Sequence, residues 1–542
     1  MARRGRHLAE IRAAYETVKA DCQWSFVLPR VVTGSKTITL PTGQQERIPL
    51  SFVLPKGLAP GRYELKATVK FSSGETQEDS FPINVLRPPQ PVEAGGRIAL
   101  FDPKGETAKL LNATGVVCQP VDASADLSGY DTLIVGKAAL TLDGPAPDIS
   151  RVRDGLKVVV FEQTGDVLER RFGFRVAERG MRWVFERVPD HPLLSGIGEE
   201  QLRNWRGDAT VLPPRLTYQI TYHSPMVTWC DIPVTRIWRC GNRGNVASAL
   251  IEKPACGDFL PILDCGYALQ YTPLMEYREG RGMVLFCQTD VTGRTESDPA
   301  ADALARNILR YVSTWKPAPR RTVVYVGDPA GSRHLQSAGL TPGTYNGGNL
   351  SADQVLVVGP GGGQQLAGNA AAVAEFVKAG GNVLAVGLDQ QEASAFLPLK
   401  VTMTKAEHIA AYFEPFGADS LLSGVSPADV HNRDPRDLPL VSGGATAFGD
   451  GVLAKAQNAN VVFCQLAPWQ FDYSGEKINV KRTFRKVSYL VTRLLGNMGA
   501  AERTPLLERL SSPVAKGEQR WLKGLYLDAP EEWDDPYRFF RW

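Results

Sequence analysis

The sequence predicts a multi-domain chain of mixed α/β and β class: an N-terminal β-sandwich followed by two α/β domains, each built on a parallel sheet. Three observations carry this. Residues from about 22 to 88 alternate apolar and polar in short runs punctuated by turn residues. From about residue 96, short and wholly apolar runs alternate with helical stretches, the pattern of parallel strands buried on both faces. That second pattern restarts near residue 322 and carries a repeated sequence with it.

At 542 residues the chain has room for several cores at about 100–200 residues per domain. Lys and Arg total 61 against 58 Asp and Glu, so charge gives no reason to expect nucleic acid or a membrane surface as partner. No apolar run reaches the roughly 18 residues that a membrane span needs. The basic start, Met1 to His7, leads into a polar stretch from Leu8 to Ala20 that reads as a short helix. An apolar signal core is missing there, so the chain reads as a soluble protein without a signal peptide, its compartment open.

The first domain, 1–88, holds strand-like runs at Trp24–Leu28, Ile38–Leu40, Arg47–Leu54 and Tyr63–Phe71. Turn residues separate them, as at Ala59-Pro60-Gly61 and Ser72-Ser73-Gly74, the mark of a small immunoglobulin-like antiparallel sandwich. A stiff linker, Arg87–Pro91, follows. The first α/β domain, 95–316, shows strands at Ile98–Phe101, Thr132–Val135, Lys157–Phe161 and Gly282–Gln288, then a helix from Pro299 to Trp315. A second linker, Lys316–Arg321, opens the second α/β domain, 321–500. Its strands are Thr322–Val326, Val355–Val358, Asn382–Val386 and Asn460–Gln465, closed by a helix from Lys481 to Leu495. The tail, 501–542, is aromatic and charged by turns. Loose, it would expose Tyr526, Trp533, Tyr537, Phe539, Phe540 and Trp542 to water, so it is expected to fold back on a domain or dock on a neighbour.

The restart is read as a duplication. Residues 185–204 and 413–432 align without a gap and share seven of twenty residues: Phe185/Phe413, Glu186/Glu414, Leu193/Leu421, Leu194/Leu422, Ser195/Ser423, Gly196/Gly424 and Asn204/Asn432. Phe286-Cys287-Gln288 recurs as Phe463-Cys464-Gln465. Between these landmarks the first copy is about fifty residues longer, and the excess, roughly 207–262, reads as an inserted β-rich excursion.

Eight cysteines and six histidines are scattered without Cys-x-x-Cys, which predicts no metal site of ordinary spacing. Cys230, Cys240, Cys256 and Cys265 crowd together, as one or two disulfides or as buried thiols.

Several strings carry a resemblance: Leu54 to Leu65 (LPKGLAPGRYEL), Asp190-His-Pro-Leu-Leu-Ser-Gly196, Arg203 to Asp208 (RNWRGD), Gln288 to Pro299 (QTDVTGRTESDP) and the end, Glu532 to Trp542. Through them about 500 residues resemble the C-terminal part of bacterial family 2, β-galactosidase-like, glycoside hydrolases. The two α/β domains resemble the class I glutamine-amidotransferase-like fold, a flavodoxin-like parallel sheet. The resemblance implies carbohydrate as the ligand class, an upstream catalytic barrel domain or chain as partner, and a homo-oligomer. The family's chemistry uses two glutamates on a (β/α)8 barrel, the acid/base in an Asn-Glu pair. This chain has no Asn-Glu dipeptide and no run of eight strand–helix units.

An amidotransferase needs a Cys on a strand–helix elbow with a His beyond it. Strand counting puts the elbows at Phe161–Gly165 and Gly387–Gln390, where neither Cys nor Ser stands, although Thr164 lies nearby. Cys287 and Cys464 fall inside apolar strands. Glu162 is a candidate general acid or base, its plainer reading a polar cap at a strand end. Asp290, Glu296 and Asp298 with Arg294 form a second candidate set for glycoside hydrolysis. Against that, Ser297-Asp298-Pro299 is a good helix start. Trp205, with Asn204 and Arg294, is the candidate sugar contact, the alternative being core packing. Gly359–Gly363 follows a strand but lacks phosphate-loop spacing and reads as a flexible turn. His191 and His223 read as structural. No cofactor is expected. The residues favour a non-catalytic accessory region of a glycoside hydrolase over a self-sufficient glycosidase or a carbohydrate-binding or assembly protein.

Overall fold

In a computed structural model, residues 4–12, 16–55, 57–209, 211, 226–229, 232–235, 243–474, 478–512 and 524–529 are described. The chain is multi-domain and mixed α/β, and divides into two compact units, Met1–Gln90 and Pro91–Trp542.

The first unit is all β and sandwich-like. Its strands are β1 (Arg4–Arg12), β2 (Val18–Phe26), β3 (Val32–Leu40), β4 (Gln45–Val53), β5 (Gly61–Phe71) and β6 (Thr76–Val85). They form an antiparallel sheet in the order β3-β2-β5-β6 and an antiparallel pair, β1-β4. Along β4 the residues Ile48, Leu50 and Phe52 are buried at every second place, the period of a strand with one covered face. They share a core with Ala20, Cys22, Phe26 and Leu65 of the larger sheet, and the Phe26 and Phe52 rings stand 4.8 Å apart.

The helix expected from Leu8 to Ala20 is not there. Arg4–Arg12 is a strand paired along its whole length with β4, from Arg4↔Val53 to Arg12↔Gln45, and Val18–Phe26 is the next strand. Local propensity is a weak preference, and the unpaired edge of β4 outweighs it by offering a full row of backbone partners.

The second unit contains two sheets of matching strand order. In the first half the elements are β7 (Ile98–Phe101), α1 (Glu106–Thr114), β8 (Gln119–Pro120), β9 (Thr132–Val135), β10 (Lys157–Val160), β11 (Val176–Met181), β12 (Phe185–Glu186), β13 (Trp205–Asp208), β14 (Met226–Trp229), β15 (Ile232–Thr235), β16 (Arg243–Gly244), β17 (Ala247–Glu252), β18 (Asp258–Cys265), β19 (Tyr271–Glu279), β20 (Gly282–Cys287) and α2 (Pro299–Thr314). In the second they are β21 (Thr322–Val326), α3 (Pro329–Ser337), β22 (Gly343–Thr344), β23 (Gln354–Val358), α4 (Gly362–Leu366), α5 (Ala370–Lys378), β24 (Asn382–Val386), α6 (Gln390–Phe396), β25 (Thr402–His408), β26 (Arg436–Gly443), β27 (Thr446–Phe448), β28 (Leu453–Lys455), β29 (Val461–Cys464) and α7 (Ile478–Asn497).

The first sheet runs β8-β7-β9-β10-β20-β19-β17-β11, the second β22-β21-β23-β24-β29-β28-β27. In each, the first five strands are parallel and the next antiparallel. Strands such as Val158–Val160 and Val355–Val358 are buried throughout, which is why they read as unbroken apolar runs.

The extra length of the first half lies mainly between residues 205 and 246, because β17 pairs with β11 as β26 pairs with β25. The sequence reading carried the excursion on to 262, but 247–252 and 258–265 are strands of the sheet itself. Their signal is hidden by Glu252, Asp258 and Asp264, charges buried within them. A short helix, α8 (Leu506–Ser511), begins the tail. Leu506, Leu507, Leu510 and Leu525 pack into the core of the first half, so the described part of the tail folds back on that half. Trp533, Tyr537, Phe539, Phe540 and Trp542 lie outside the described residues. Among the described residues no helix is long and apolar enough to cross a membrane.

Candidate functional site

Parallel α/β sheets place ligands at the carboxyl ends of their strands, so the sites are sought there. After β10 the chain turns at Phe161–Gly165. Glu162 is fully buried, and its two carboxylate oxygens accept from one residue: the Thr292 backbone N–H at 2.7 Å and the Thr292 hydroxyl at 2.8 Å. Burial, and then the charge of Asp290, push its carboxyl up to about 7, against the pull of Thr292 and Lys137. Lys137 is itself paired with Glu106 at 3.1 Å. Gln163, also buried, donates to Gly136 O (2.8 Å) and Phe161 O (2.6 Å) and accepts from Leu140 N (3.2 Å), while its own N–H reaches Gln288 Oε1 at 3.0 Å. The elbow therefore ties the ends of β9, β10 and β20 together. Thr164 is exposed, and among the described residues no hydrogen bond links its hydroxyl to a base.

The second candidate set lies beyond β20. Asp290 is buried, with Oδ2 3.8 Å from Arg294. Arg294, also buried, donates to the carbonyls of Trp205 (2.8 Å), Arg206 (2.8 Å), Gly207 (3.3 Å) and Asn245, pinning both ends of the excursion. Asp298 caps α2 by accepting from Ala300 N (2.8 Å) and Ala301 N (3.3 Å), and its other oxygen accepts from Arg206 N at 2.9 Å. Glu296 is exposed and apart from this bonding. Trp205 is 1% exposed, its indole N–H donating to Gln201 O at 2.7 Å, so no ring face is open to a sugar. Asn204 is exposed, in the left-handed region at φ 50, a conformation Asn tolerates better than most side chains. Its counterpart Asn432 is buried, accepting from Asp434 N at 3.1 Å.

In the second half the place of Glu162 falls to Gly387. Val160 pairs with Phe286 and Ala385 with the equivalent Phe463, and two residues on from each stand Glu162 and Gly387, the latter at φ 64. The glycine run 359–363 is a close-packed helix start instead of a flexible turn. A Cβ on Gly362 would lie 2.3 Å from Val326 O and one on Gly363 2.4 Å from Glu392 O, so α4 sits against β21 and α6 only without side chains. Trp469 donates to Asp328 at 3.2 Å, and Asp328 caps α3 through Gly331 N at 2.7 Å.

Cys287 and Cys464 are buried, with thiols near the carbonyls of Thr289 (3.7 Å) and Leu466 (3.4 Å). Burial pushes the Cys464 thiol up to about 12 and raises that of Cys287 as well, the opposite of what a nucleophile needs. Cys256 and Cys265 are buried free thiols, while Cys230 and Cys240 lie outside the described residues, as do Trp238 and His223. His191 is buried, its ring 3.3 Å from Leu193 N and 3.1 Å from Glu276. Among the described residues no group of three or more His, Cys, Asp and Glu is placed to hold a metal.

Two features escaped the sequence reading. The repeated Leu-Leu-Ser-Gly is a turn held by an asparagine of the closing helix. Asn307 Nδ2 donates to Leu193 O (3.1 Å) and Ser195 O (2.9 Å); Asn497 Nδ2 donates to Leu421 O (2.9 Å) and Ser423 O (2.8 Å). Gly196 and Gly424 both need positive φ, at 73 and 75. The sequence signal was an asparagine in each closing helix, mid-helix at Asn307 and at the last residue at Asn497.

The other feature is a buried ionic junction between the halves. Arg187 pairs with Asp264 of its own half and Asp429 of the other. Lys253 lies 3.1 Å from Asp264 and 3.8 Å from Asp429. Asp528 of the tail is shared by Arg175 (3.0 Å) and Arg485, with Glu252 3.2 Å from Arg485.

No family model matches the chain, and no curated protein matches it. Among solved structures, a cycloisomaltooligosaccharide glucanotransferase of Paenibacillus sp., complexed with cycloisomaltoheptaose, aligns at 10% identity with a TM-score of 0.15, covering 76% of this chain. The alignment spans 55% of that protein. A TM-score so low carries no argument about fold or function.

Proposed function

We propose that the chain is the non-catalytic accessory region of a bacterial β-galactosidase-like glycoside hydrolase, supporting a catalytic barrel or the oligomer that contains it. In this reading the first unit is an immunoglobulin-like sandwich, and the second is two copies of a flavodoxin-like, amidotransferase-related domain without its nucleophile. The observation that carries the reading is the bonding of Glu162. A catalytic acid must meet its substrate, yet this carboxylate is sealed from solvent and both its oxygens are engaged by Thr292. The equivalent edge of the second half offers Gly387 instead. The closed faces of Trp205 likewise favour packing over sugar stacking.

The test is the DNA upstream of the Met1 codon in the source genome. The reading expects a coding sequence for a (β/α)8 barrel, in frame or in an adjacent gene, with a glutamate following asparagine at a strand end. Upstream sequence with no such barrel would overturn it.

A further inference from the structure

Two aromatic rings of the second unit stand in water. Trp183 of the first half is 42% exposed and Tyr412 of the second 75%. At the places aligned with them the other copy has Ala411 and the buried Val184, so the shared fold requires neither ring. Trp183 forms an antiparallel bridge with Arg203, whose guanidinium lies 5.5 Å from the indole ring centre, and the half-buried Phe185 ring is 5.1 Å away. Tyr412 donates to Glu414 at 2.7 Å.

The two places adjoin. Glu200 pairs with Arg203 at 3.2 Å, and its neighbour Glu199 acts on groups of both halves. Burial, and then the charge of Glu199, raise the Glu186 carboxyl, the sign of two acids close together. The Tyr412 hydroxyl is raised first by its bond to Glu414 and last by Glu199. The result is an aromatic patch with an acidic rim. Exposed apolar patches of this kind mark docking surfaces, and Trp, Tyr and Arg anchor such contacts.

The chain carries a segment that complements the patch. Residues 537–542 read YRFFRW, four aromatic rings with Arg538 and Arg541, the only cations after Asp528; the acids Glu531, Glu532, Asp534 and Asp535 come before them. The reach is sufficient. Asp528 is held by Arg175, and Arg175 stands eight residues before Trp183, at most about 29 Å of chain. The fourteen residues from Asp528 to Trp542 extend to about 46 Å, which leaves room for the arginine side chain as well.

We propose that residues 537–542 seat on this patch of their own chain, aromatic rings against Trp183, Phe185 and Tyr412 and arginines toward Glu186, Glu199 and Glu414. Seating takes two apolar clusters out of water together. It also sets cations against the acidic rim, which repels the four acids before them. Because Trp183 and Tyr412 belong to different halves, the seated segment straps one half to the other. The inference goes beyond the accessory-region reading and stands if that reading fails.

The test is limited trypsin digestion of the full chain, read by mass spectrometry of its C-terminal end, at low and at high protein concentration. Cleavage after Arg538 and Arg541 is expected to be tenfold or more slower in the wild type than in a Trp183→Ser, Tyr412→Ser double variant, whose changes lie at exposed positions. Tyr412→Ser alone decides the matter if the double variant does not fold. Glu199→Gln speeds cleavage about twofold. Phe81→Ser, at an exposed ring of the first unit, is the control and leaves the rates unchanged. Equal cleavage of the wild type and the patch variants overturns the proposal and leaves the patch to a separate partner. Equal acceleration by Phe81→Ser overturns it too. Protection that appears only at the high concentration assigns the patch to the tail of a second copy, and that also overturns it.

Discussion

In the first half of the second unit, the edge beyond β10 carries Glu162, Gln163 and Thr292 in one buried hydrogen-bonded knot; in the second half, the edge beyond β24 carries Gly387 and a helix start packed against glycines. The residues at the two elbows differ, although the repeated Phe-Cys-Gln strand end borders both: Gln288 accepts from Gln163 N, and Cys464 O accepts from Gly387 N. The halves also share the Leu-Leu-Ser-Gly turn, its positive-φ glycine and the asparagine that grips it from the closing helix. The repeated residues are thus those that hold strand ends and turns, while the place where a nucleophile would stand differs.

The comparison can be broken at the junction first. Arg187 bridges the halves, and Pro415 stands at its aligned position in the other copy. Arg187→Met leaves Asp264 and Asp429 with only Lys253 between them and is expected to cost about 3–5 kcal/mol in urea unfolding. A loss below about 1 kcal/mol would mean the bridge is idle.

The halves also titrate in opposite directions. Glu162 is raised from 4.5 to about 7, so the folded first half holds that proton more tightly than the unfolded chain does. Its contribution is greatest below pH 4.5, falls as pH rises to 7 and is flat beyond, a span of about 3 kcal/mol at about 1.4 kcal/mol per unit. Glu162→Gln should remove that slope. His334, on α3 of the second half, is lowered by burial from 6.5 to about 4. Its contribution is present above pH 6.5 and is lost as pH falls to 4, by a similar amount, and His334→Phe should flatten that limb. Unfolding free energies of the two variants at pH 4, 5.5 and 8 separate the effects.

Asn307→Leu and Asn497→Leu sharpen the likeness. Each leaves two carbonyls of the turn, partly buried for the most part, without their donor and should cost about 1–3 kcal/mol, the two values agreeing within about 1 kcal/mol if the turns do the same work. The smallest effect belongs to Thr164→Ala at the exposed point of the first elbow, expected to change stability by less than about 0.5 kcal/mol.

The parallel strands were legible because burial on both faces removes polar residues from them, as in Val158–Val160. The N-terminal strand was not, since the polar stretch from Leu8 to Ala20 suits a helix until β4 presents its edge. β17 and β18 were obscured by buried acids whose partners lie elsewhere. The junction was wholly hidden: Arg187 and Asp264 are 77 residues apart in sequence, Arg175 and Asp528 are 353 apart, and no local pattern joins them. The elbows were found by strand counting alone, but only the folded chain reveals that Glu162 is closed in by Thr292.

The most direct measurement is turnover by the purified chain of aryl β-D-galactosides and related aryl glycosides, alongside Glu162→Gln and Asp290→Asn. The account predicts no release of aryl alcohol above the buffer rate by any of the three proteins. Turnover by the wild type that disappears in either variant would contradict it.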